Sequence, residues 1–211
     1  MPRRPRLQEA GLLHHVVCRG NDRQPIFSSV LDFQKYLEFL AQATQLYPVK
    51  IYNFVLMNNH VHLLIEPVAE GNLSKFMEYV SKNYAKYFNK AYQRFGHVFQ
   101  GRFKSFLVQS ERYFFACSRY IDLNPVKANL IENPKDYQWS GYNALAHGVG
   151  GTFPTDLHPL YESLGSSDQE RQVAYRALVF NSSGDELDLL NKRTCVLGDR
   201  EFKEKFLGQG I

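Results

Sequence analysis

Residues 49–66, VKIYNFVLMNNHVHLLIE, contain the most informative pattern in the chain. The first part, 49–57, is apolar and rich in β-forming residues. The last part, 60–66, begins with alternating polar and apolar residues. Asn58 and Asn59, which lie between them, are typical of a tight connection. The stretch therefore predicts a β-hairpin of two antiparallel strands.

Two histidines, His60 and His62, lie on the second strand of this hairpin. Side chains two residues apart on a strand point to the same side of the sheet, so the two imidazoles become neighbours. The apolar residues around them, Val61, Leu63 and Ile65, then point to the opposite side, where helices would cover them. Neighbouring imidazoles are potential metal ligands, although a bare H-x-H pattern is more often structural or merely exposed.

The segments around the hairpin predict the remaining architecture. They are a strand at 12–19, a helix at 30–47, a helix at 73–94 capped by Asn72 or Ser74, a strand at 97–108, and a helix from 110 to about 124. The order β-α-β-β-α-β-α predicts an α+β fold of the ferredoxin-like (RRM-like) type, with one added helix. In that plan both long helices cover one face of an antiparallel sheet, and the other face, with the histidines, is expected to stay uncovered.

Composition changes after Trp139, where Gly148, Gly150, Gly151 and Pro154 resemble a linker. We therefore expect one domain over 1–147 and an acidic, partly helical tail over 148–211. Short helices are predicted at 168–180 and 199–207, and Ser182-Ser183-Gly184 breaks the pattern between them. The sequence does not indicate whether this tail gates a site or merely packs on the domain.

The overall charge is modest but unevenly distributed. Residues 1–150 hold 18 Lys and Arg against 11 Asp and Glu, whereas 151–211 hold 7 against 10. The excess of basic residues in the first part is consistent with a polyanionic partner. No signal peptide and no run of about eighteen apolar residues is visible, so we expect a cytoplasmic protein without a membrane span.

The three cysteines, Cys18, Cys117 and Cys195, are odd in number and widely spaced. They show no C-x-x-C spacing, so neither a disulfide framework nor a cysteine zinc site is indicated. Reduced structural thiols are the expectation.

Several sequence blocks occur in a specific order. They are HVVCRGN at 15–21 with PIF at 25–27, NHVH at 59–62, FQGRFK at 99–104, YIDLNPVKA at 120–128, and YQWSGY at 137–142. In these blocks the chain, from about residue 3 to 147, resembles the REP-associated tyrosine transposases. That group is a branch of the HUH single-tyrosine, IS200-like transposases of insertion sequences.

The resemblance implies a specific chemistry. His60 and His62 would hold a divalent metal ion, Mg²⁺ or Mn²⁺, which polarises a scissile phosphodiester. Tyr120 would be the nucleophile, forming a 5′-phosphotyrosine link and releasing a 3′-hydroxyl. Relatives place a side-chain amide one helical turn later as third metal ligand, at Asn124; an Asn before Pro125 is equally suited to cap a following helix.

The resemblance also implies binding to single-stranded DNA that contains hairpin, palindromic elements. Candidate DNA contacts are Arg19, Asn21 and Arg23 in the first block, Arg102 and Lys104 beside Phe99 and Phe103, Lys82 and Lys86 in a basic stripe with Lys90 and Arg94, and Arg119 beside Tyr120. Arg102 and Lys104 are expected to share one strand face, a mixture suited to phosphate pairing and base stacking. The stripe has a second interpretation as a solvated helix face, and Arg3, Arg4 and Arg6 have one as an ordinary terminus.

Alternative functions remain open at this stage. A ferredoxin-like sheet can bind DNA or RNA without chemistry, as a domesticated transposase would. A histidine-based enzyme that hydrolyses small phosphates would use the same pair, but it would leave Tyr120 and the basic residues unexplained. The sequence is compatible with a monomer or with a homodimer that exchanges tyrosine helices.

Overall fold

The computed structural model describes residues 10–181 and 196–207. Its strands are β1 (Leu13–Arg19), β2 (Val49–Met57), β3 (His60–Pro67), β4 (Lys104–Val108) and β5 (Val196–Leu197). Its helices are α1 (Val30–Leu46), α2 (Asn72–Ala91), α3 (Ser110–Asp122), α4 (Asn124–Lys127), α5 (Tyr142–His147), α6 (Pro159–Glu162), α7 (Asp168–Asn181) and α8 (Arg200–Leu207). Short 3₁₀ turns occupy Asn21–Arg23 and Pro134–Asp136.

The strands form one sheet in the order β2-β3-β1-β4-β5. The first four strands pair antiparallel, and this order confirms the ferredoxin-like βαββαβ plan. The fifth strand adds to β4 in parallel and was not predicted. The hairpin of β2 and β3 turns at Asn58 and Asn59, as the sequence indicates, so Met57 lies opposite His60.

The two long helices cover one face of the sheet, as predicted. Val61, Leu63 and Ile65 of β3 are buried in a core shared with both helices. Ser29 begins α1 with a capping box, in which its side chain and that of Asp32 satisfy each other's backbone amides. Most of the apolar positions in these helices face that core, although Val30 at the start of α1 is 58% exposed.

The second face is also covered, which corrects the expectation of an open face. Tyr113, Phe114 and Ile121 of α3 pack on the sheet there, in a core that also includes residues of α5 and α7. The physical reason is that β2 carries apolar side chains on both sides, with Tyr52 and Val55 turned away from α1 and α2. Burying them requires a second helical layer.

Two predicted boundaries are wrong. The segment 97–108 enters the sheet only from Lys104, since Phe99 makes a single bridge to Gly20. Arg102 is therefore in a loop and does not share a strand face with Lys104. The second long helix starts after Gly71, which caps it in the left-handed conformation in place of Asn72 or Ser74, and it ends at Ala91.

The tail beyond residue 148 forms the two predicted helices, α7 and α8. Ser182, Ser183, Gly184 and Cys195 lie outside the described residues, as does the basic arm of Arg3, Arg4 and Arg6. Cys18 and Cys117 are buried thiols. Within 10–181 and 196–207, no helix is long and apolar enough to cross a membrane.

Candidate active site

His60 and His62 are neighbours on the central strand β3. Their ring centroids lie 4.9 Å apart with nearly perpendicular planes. His62 is buried, and His60, at the start of the strand, is partly exposed. Strand alternation therefore brings the imidazoles together on the face that α3 covers, with one of them still reachable from solvent.

Tyr120, near the end of α3, lies against this pair in the same chain. Its ring centroid is 5.5 Å from that of His62, in an edge-to-face arrangement. Burial raises the pKa of the Tyr120 phenol, while its hydrogen bond with the Asn124 side chain and the nearby charge of Arg19 lower it. The phenol is half-buried, and burial outweighs the neighbours that favour its ionised form, so its pKa lies above the usual value.

Asn124 connects the tyrosine to the histidines. Its side-chain nitrogen donates to the Tyr120 carbonyl oxygen at 2.7 Å, and its side chain also hydrogen-bonds His60. The alternative role as a helix cap is wrong, because Leu123 occupies the cap position and Asn124 is already in α4. The Asn124 amide therefore faces the histidine pair and Tyr120.

A third imidazole, His15 of β1, belongs to the same cluster, although its role was not foreseen from the sequence. His15 Nε2 lies 2.8 Å from His62 Nδ1, and the rings are stacked with centroids 5.0 Å apart. The two residues are 47 positions apart and meet because β1 pairs with β3. The only sequence signal that could have indicated a role for His15 was its position in the block at 15–21.

The bond between His15 and His62 restricts the proton positions. If His62 uses Nε2 as a ligand, its proton must be on Nδ1 and is donated to His15 Nε2. His15 then carries its own proton on Nδ1, which is buried and has no hydrogen-bond partner. This arrangement resembles the outer contact that orients a ligating histidine.

The donor set fits one divalent cation. Asn59 Oδ1 lies 2.6 Å from His60 Nδ1, and His15 Nε2 lies 2.8 Å from His62 Nδ1. If the pair holds a metal ion, each imidazole would therefore use its Nε2. In the part of the chain that is described, no three His, Cys, Asp or Glu side chains form a complete metal site. The Asn124 amide and phosphate oxygens would therefore complete the coordination.

If the pair of His60 and His62 holds a metal ion, binding is expected to persist at mildly acidic pH. Burial lowers the pKa of His60 to about 4 and that of His62 well below its usual value. The neutral, ligating form therefore dominates above about pH 5. An exposed pair with ordinary pKa values near 6.5 would bind roughly 100-fold more weakly at pH 5.5 than at 7.5. Electron paramagnetic resonance titration of Mn²⁺ should show less than about a threefold change, and a loss near 100-fold would contradict this interpretation.

The candidate DNA contacts lie in different places. Arg19 ends β1 opposite His60, and its charge lowers the pKa of both ligating histidines. Other exposed candidates are Asn21 and Arg23 in the loop after β1, Arg102 before β4, Lys104 on it, and Lys82 and Lys86 on α2. The two lysines of α2 are on the helix that covers the opposite face from the histidines.

Arg119 differs from the other candidates because its side chain is engaged by the tail. Its Nε donates to the Val179 carbonyl oxygen of α7 at 2.7 Å, and Nη1 is buried without a partner. The guanidinium therefore helps to join α3 to α7 in this structure.

A buried polar network fixes the tyrosine helix to the tail and to β2. Tyr175 of α7 donates to Asp122 Oδ2 at 2.6 Å, and its hydroxyl is 2.7 Å from Ser118 Oγ. Asn53 of β2 donates to the other Asp122 oxygen at 2.9 Å. The pKa of Asp122 is raised to about 7 because burial outweighs the opposing effect of the hydrogen bonds from Tyr175 and Asn53. The bonded residues flank Tyr120 on both sides, so α7 positions the helix that carries it.

Replacing Tyr175 with phenylalanine is expected to destabilise the fold by about 1–3 kcal/mol, because a buried carboxyl loses a donor. The measurement is urea unfolding followed by circular dichroism. The matched control is Tyr79→Phe, whose partly buried hydroxyl bonds the Gln42 side chain. We expect that variant to change stability by less than about 0.5 kcal/mol. Equal losses in the two variants would contradict a special role for the network.

Two comparisons with known proteins identify a family and a similar fold. A profile of the family described as "Transposase IS200 like" matches residues 9–124, which include the histidine pair, Tyr120 and Asn124. A solved structure described as "Structure of the REP associates tyrosine transposase bound to a REP hairpin" superposes with a TM-score of 0.59 at 19% identity, covering 75% of this chain and 94% of the other. At that identity the likeness establishes the fold. The search of curated proteins found no match.

Proposed function

The chain belongs to the IS200-like transposase family, and from that membership and the site geometry we propose that it cleaves and rejoins single-stranded DNA with Tyr120 as nucleophile. The observation that carries the proposal is the 5.5 Å separation of the Tyr120 and His62 rings within one chain. A phosphate bound at the histidine pair would lie next to the phenol.

The reaction exchanges one phosphodiester for another. The Tyr120 phenolate oxygen attacks phosphorus, the bond from phosphorus to the 3′ oxygen breaks, and that oxygen leaves as a 3′-hydroxyl after taking up a proton. The 5′ phosphate remains linked to tyrosine. Attack by a 3′-hydroxyl on this link reverses the step and rejoins DNA, so no ATP is required.

The side chains around the tyrosine have separate roles in this proposal. A Mg²⁺ or Mn²⁺ ion held by His60, His62 and Asn124 would polarise the phosphate oxygens. Arg19 adds positive charge beside the phenol and favours its ionised form. His15 holds the ring of His62 in the ligating orientation.

We further propose that Tyr120 acts in cis. The tyrosine helix is held by α7 through Asp122 and Ser118, so the site is complete within one chain and a monomer suffices. In an exchanged dimer these buried bonds would have to break or to move together with the tail.

The proposed substrate is single-stranded DNA with a hairpin. The solved structure of similar fold has a REP hairpin bound, by its description, and the basic residues of this chain support a polyanionic partner. The proposed DNA contacts near the histidine pair are Arg19, Asn21, Arg23, Arg102 and Lys104. Lys82, Lys86 and Arg119 are also proposed, but the two lysines lie on the helix over the opposite sheet face, and Arg119 bonds the Val179 carbonyl oxygen.

The test is a covalent-adduct assay with labelled single-stranded hairpins taken from the flanks of the protein's own gene. With Mn²⁺ or Mg²⁺, we expect a protein–DNA adduct on a denaturing gel, and peptide mapping should place the DNA on the segment that contains Tyr120. A chelator should prevent its formation. Binding without an adduct under either metal would favour the domesticated DNA- or RNA-binding protein and would end the nuclease proposal.

A further inference from the structure

Phe95 is the most exposed large apolar side chain among the described residues. Its side chain is 99% exposed, whereas the next in rank, Val149, is 60% exposed. Phe27, Phe33, Phe54, Phe76, Phe88 and Phe114 are all buried by comparison. Single exposed apolar side chains are common on protein surfaces, so this exposure by itself assigns no partner, but it leaves both faces of the ring accessible.

The loop that carries Phe95 is held in place by hydrogen bonds on both sides. The Arg94 amide donates to the Asn89 carbonyl oxygen, and the Asn89 side chain donates to the Gly96 carbonyl oxygen, each at 2.9 Å. Gln93 and Gly96 have φ values of 51° and 94°, which fold the chain sharply around the phenylalanine. The ring is therefore presented by a defined turn at the end of α2.

The segment of sequence that contains this turn is strongly basic. The segment 79–110 carries six Lys and Arg and neither Asp nor Glu. Lys86, Lys90 and Arg102 are exposed within it, and Arg94 lies over the Phe88 ring. An exposed aromatic ring among cations is the combination that binds single-stranded nucleic acid, because bases stack while phosphates pair with the cations.

The turn is also connected to the cleavage site. Arg94 donates to the Gln24 side chain at 2.9 Å, and the Asn21 amide donates to the Val98 carbonyl oxygen at the same distance. The Gln100 amide in turn donates to the carbonyl oxygen of Arg19, the residue opposite His60. These hydrogen bonds join the loop that carries Phe95 to the loop after β1 and to the end of β1 beside His60.

We propose that Phe95 is a stacking platform for an unpaired base of the DNA strand that flanks the hairpin. The inference rests on the proposed function and deepens it, because it assigns a subsite for single-stranded DNA apart from the histidine pair. Lys90 and Arg102 neutralise the adjoining phosphates. Paired bases inside a duplex are stacked on each other and do not offer a face to the ring, so the subsite selects unpaired strand.

The experiment measures binding by fluorescence anisotropy to two DNAs, a hairpin with an unpaired flank and a blunt duplex of the same stem. Phe95→Ala should raise Kd for the flanked hairpin about 10- to 100-fold, equivalent to about 1.4–2.8 kcal/mol, and leave the duplex unchanged. Phe180→Ala is the matched control, since Phe180 is 52% exposed on α7 over the other sheet face. It should change neither affinity.

A second variant supplies a direct signal. Phe95→Trp should keep the wild-type affinity, and its fluorescence should be quenched by the flanked hairpin. The natural Trp139 is buried and stacked on Phe33 with centroids 4.6 Å apart, so it contributes a constant background.

The possible outcomes separate this inference from the proposed function. Unchanged Kd for Phe95→Ala, with normal adduct formation, would overturn the stacking subsite alone. Weakened binding by this variant, with no adduct even in the wild type, would support the subsite and end the nuclease proposal. A wild-type chain that binds neither DNA would end both. If Phe95→Ala turns a dimer into a monomer at unchanged Kd, the ring is a contact between copies and the stacking role is wrong.

Discussion

Tyr120→Phe is expected to abolish the covalent protein–DNA adduct and to leave hairpin binding within about twofold of the wild type. Only the hydroxyl is removed, and the ring keeps its edge-to-face packing against His62 and His15. The loss should exceed about 10³-fold in rate, because no other described group replaces the attacking oxygen in this position. The measurement is single-turnover cleavage of a labelled hairpin with Mn²⁺, together with anisotropy for binding.

The matched control is Tyr113→Phe, in the same helix. Tyr113 is buried in the core between α3 and the sheet, so its hydroxyl does not belong to the histidine cluster. This variant should keep adduct formation within a few-fold. If Tyr120→Phe still forms the adduct, or if Tyr113→Phe loses it, the assignment of the nucleophile is wrong.

His60→Ala and His62→Ala are each expected to abolish metal-dependent cleavage and to weaken Mn²⁺ binding beyond detection. In the proposed site two imidazoles would supply the nitrogen ligands, so the loss of either would leave one histidine and an amide. Cleavage by single-turnover assay and Mn²⁺ affinity by calorimetry should fall together. His60 is the cleaner site for this test, because it is partly exposed and its replacement leaves no large cavity.

His15→Leu serves as a graded comparison. It removes the partner of His62 Nδ1 and keeps both proposed ligands, so Mn²⁺ affinity should fall by about 10- to 100-fold. His14→Leu is the matched control on the same strand, since His14 is also buried but bonds Ser105 on the other side of the sheet. If the two leucine variants bind Mn²⁺ equally, the interpretation of His15 as an orienting residue fails.

Local patterns predicted much of the fold and part of the candidate site. Alternation along β3 placed His60 and His62 together, because a strand has a period of two residues whatever surrounds it. The spacing of apolar residues in α1 and α2 identified the face that they bury. The proline after Asn124 was a weaker guide, since this asparagine is part of a helical turn and not its cap.

The second helical layer could not be predicted in the same way. Local periodicity tells which side of an element is apolar, but it does not identify the segment that will cover that side. Tyr175 meets Asp122 across 53 positions, and it meets Asn53 across 122. The expected open face was therefore wrong, and the role of α7 in holding the tyrosine helix was not visible beforehand.

The sequence by itself determined the order of the first seven strands and helices, the pairing of His60 with His62, and the family to which the chain belongs. Only the tertiary structure decided that His15 joins this pair, that Asn124 faces it, and that Phe95 is presented to solvent from a basic turn. The reason is physical, because the repeat of a helix or strand and a short motif depend only on residues that are close together in the sequence. Hydrogen bonds and packing between distant segments depend on how strands and helices are brought together in space.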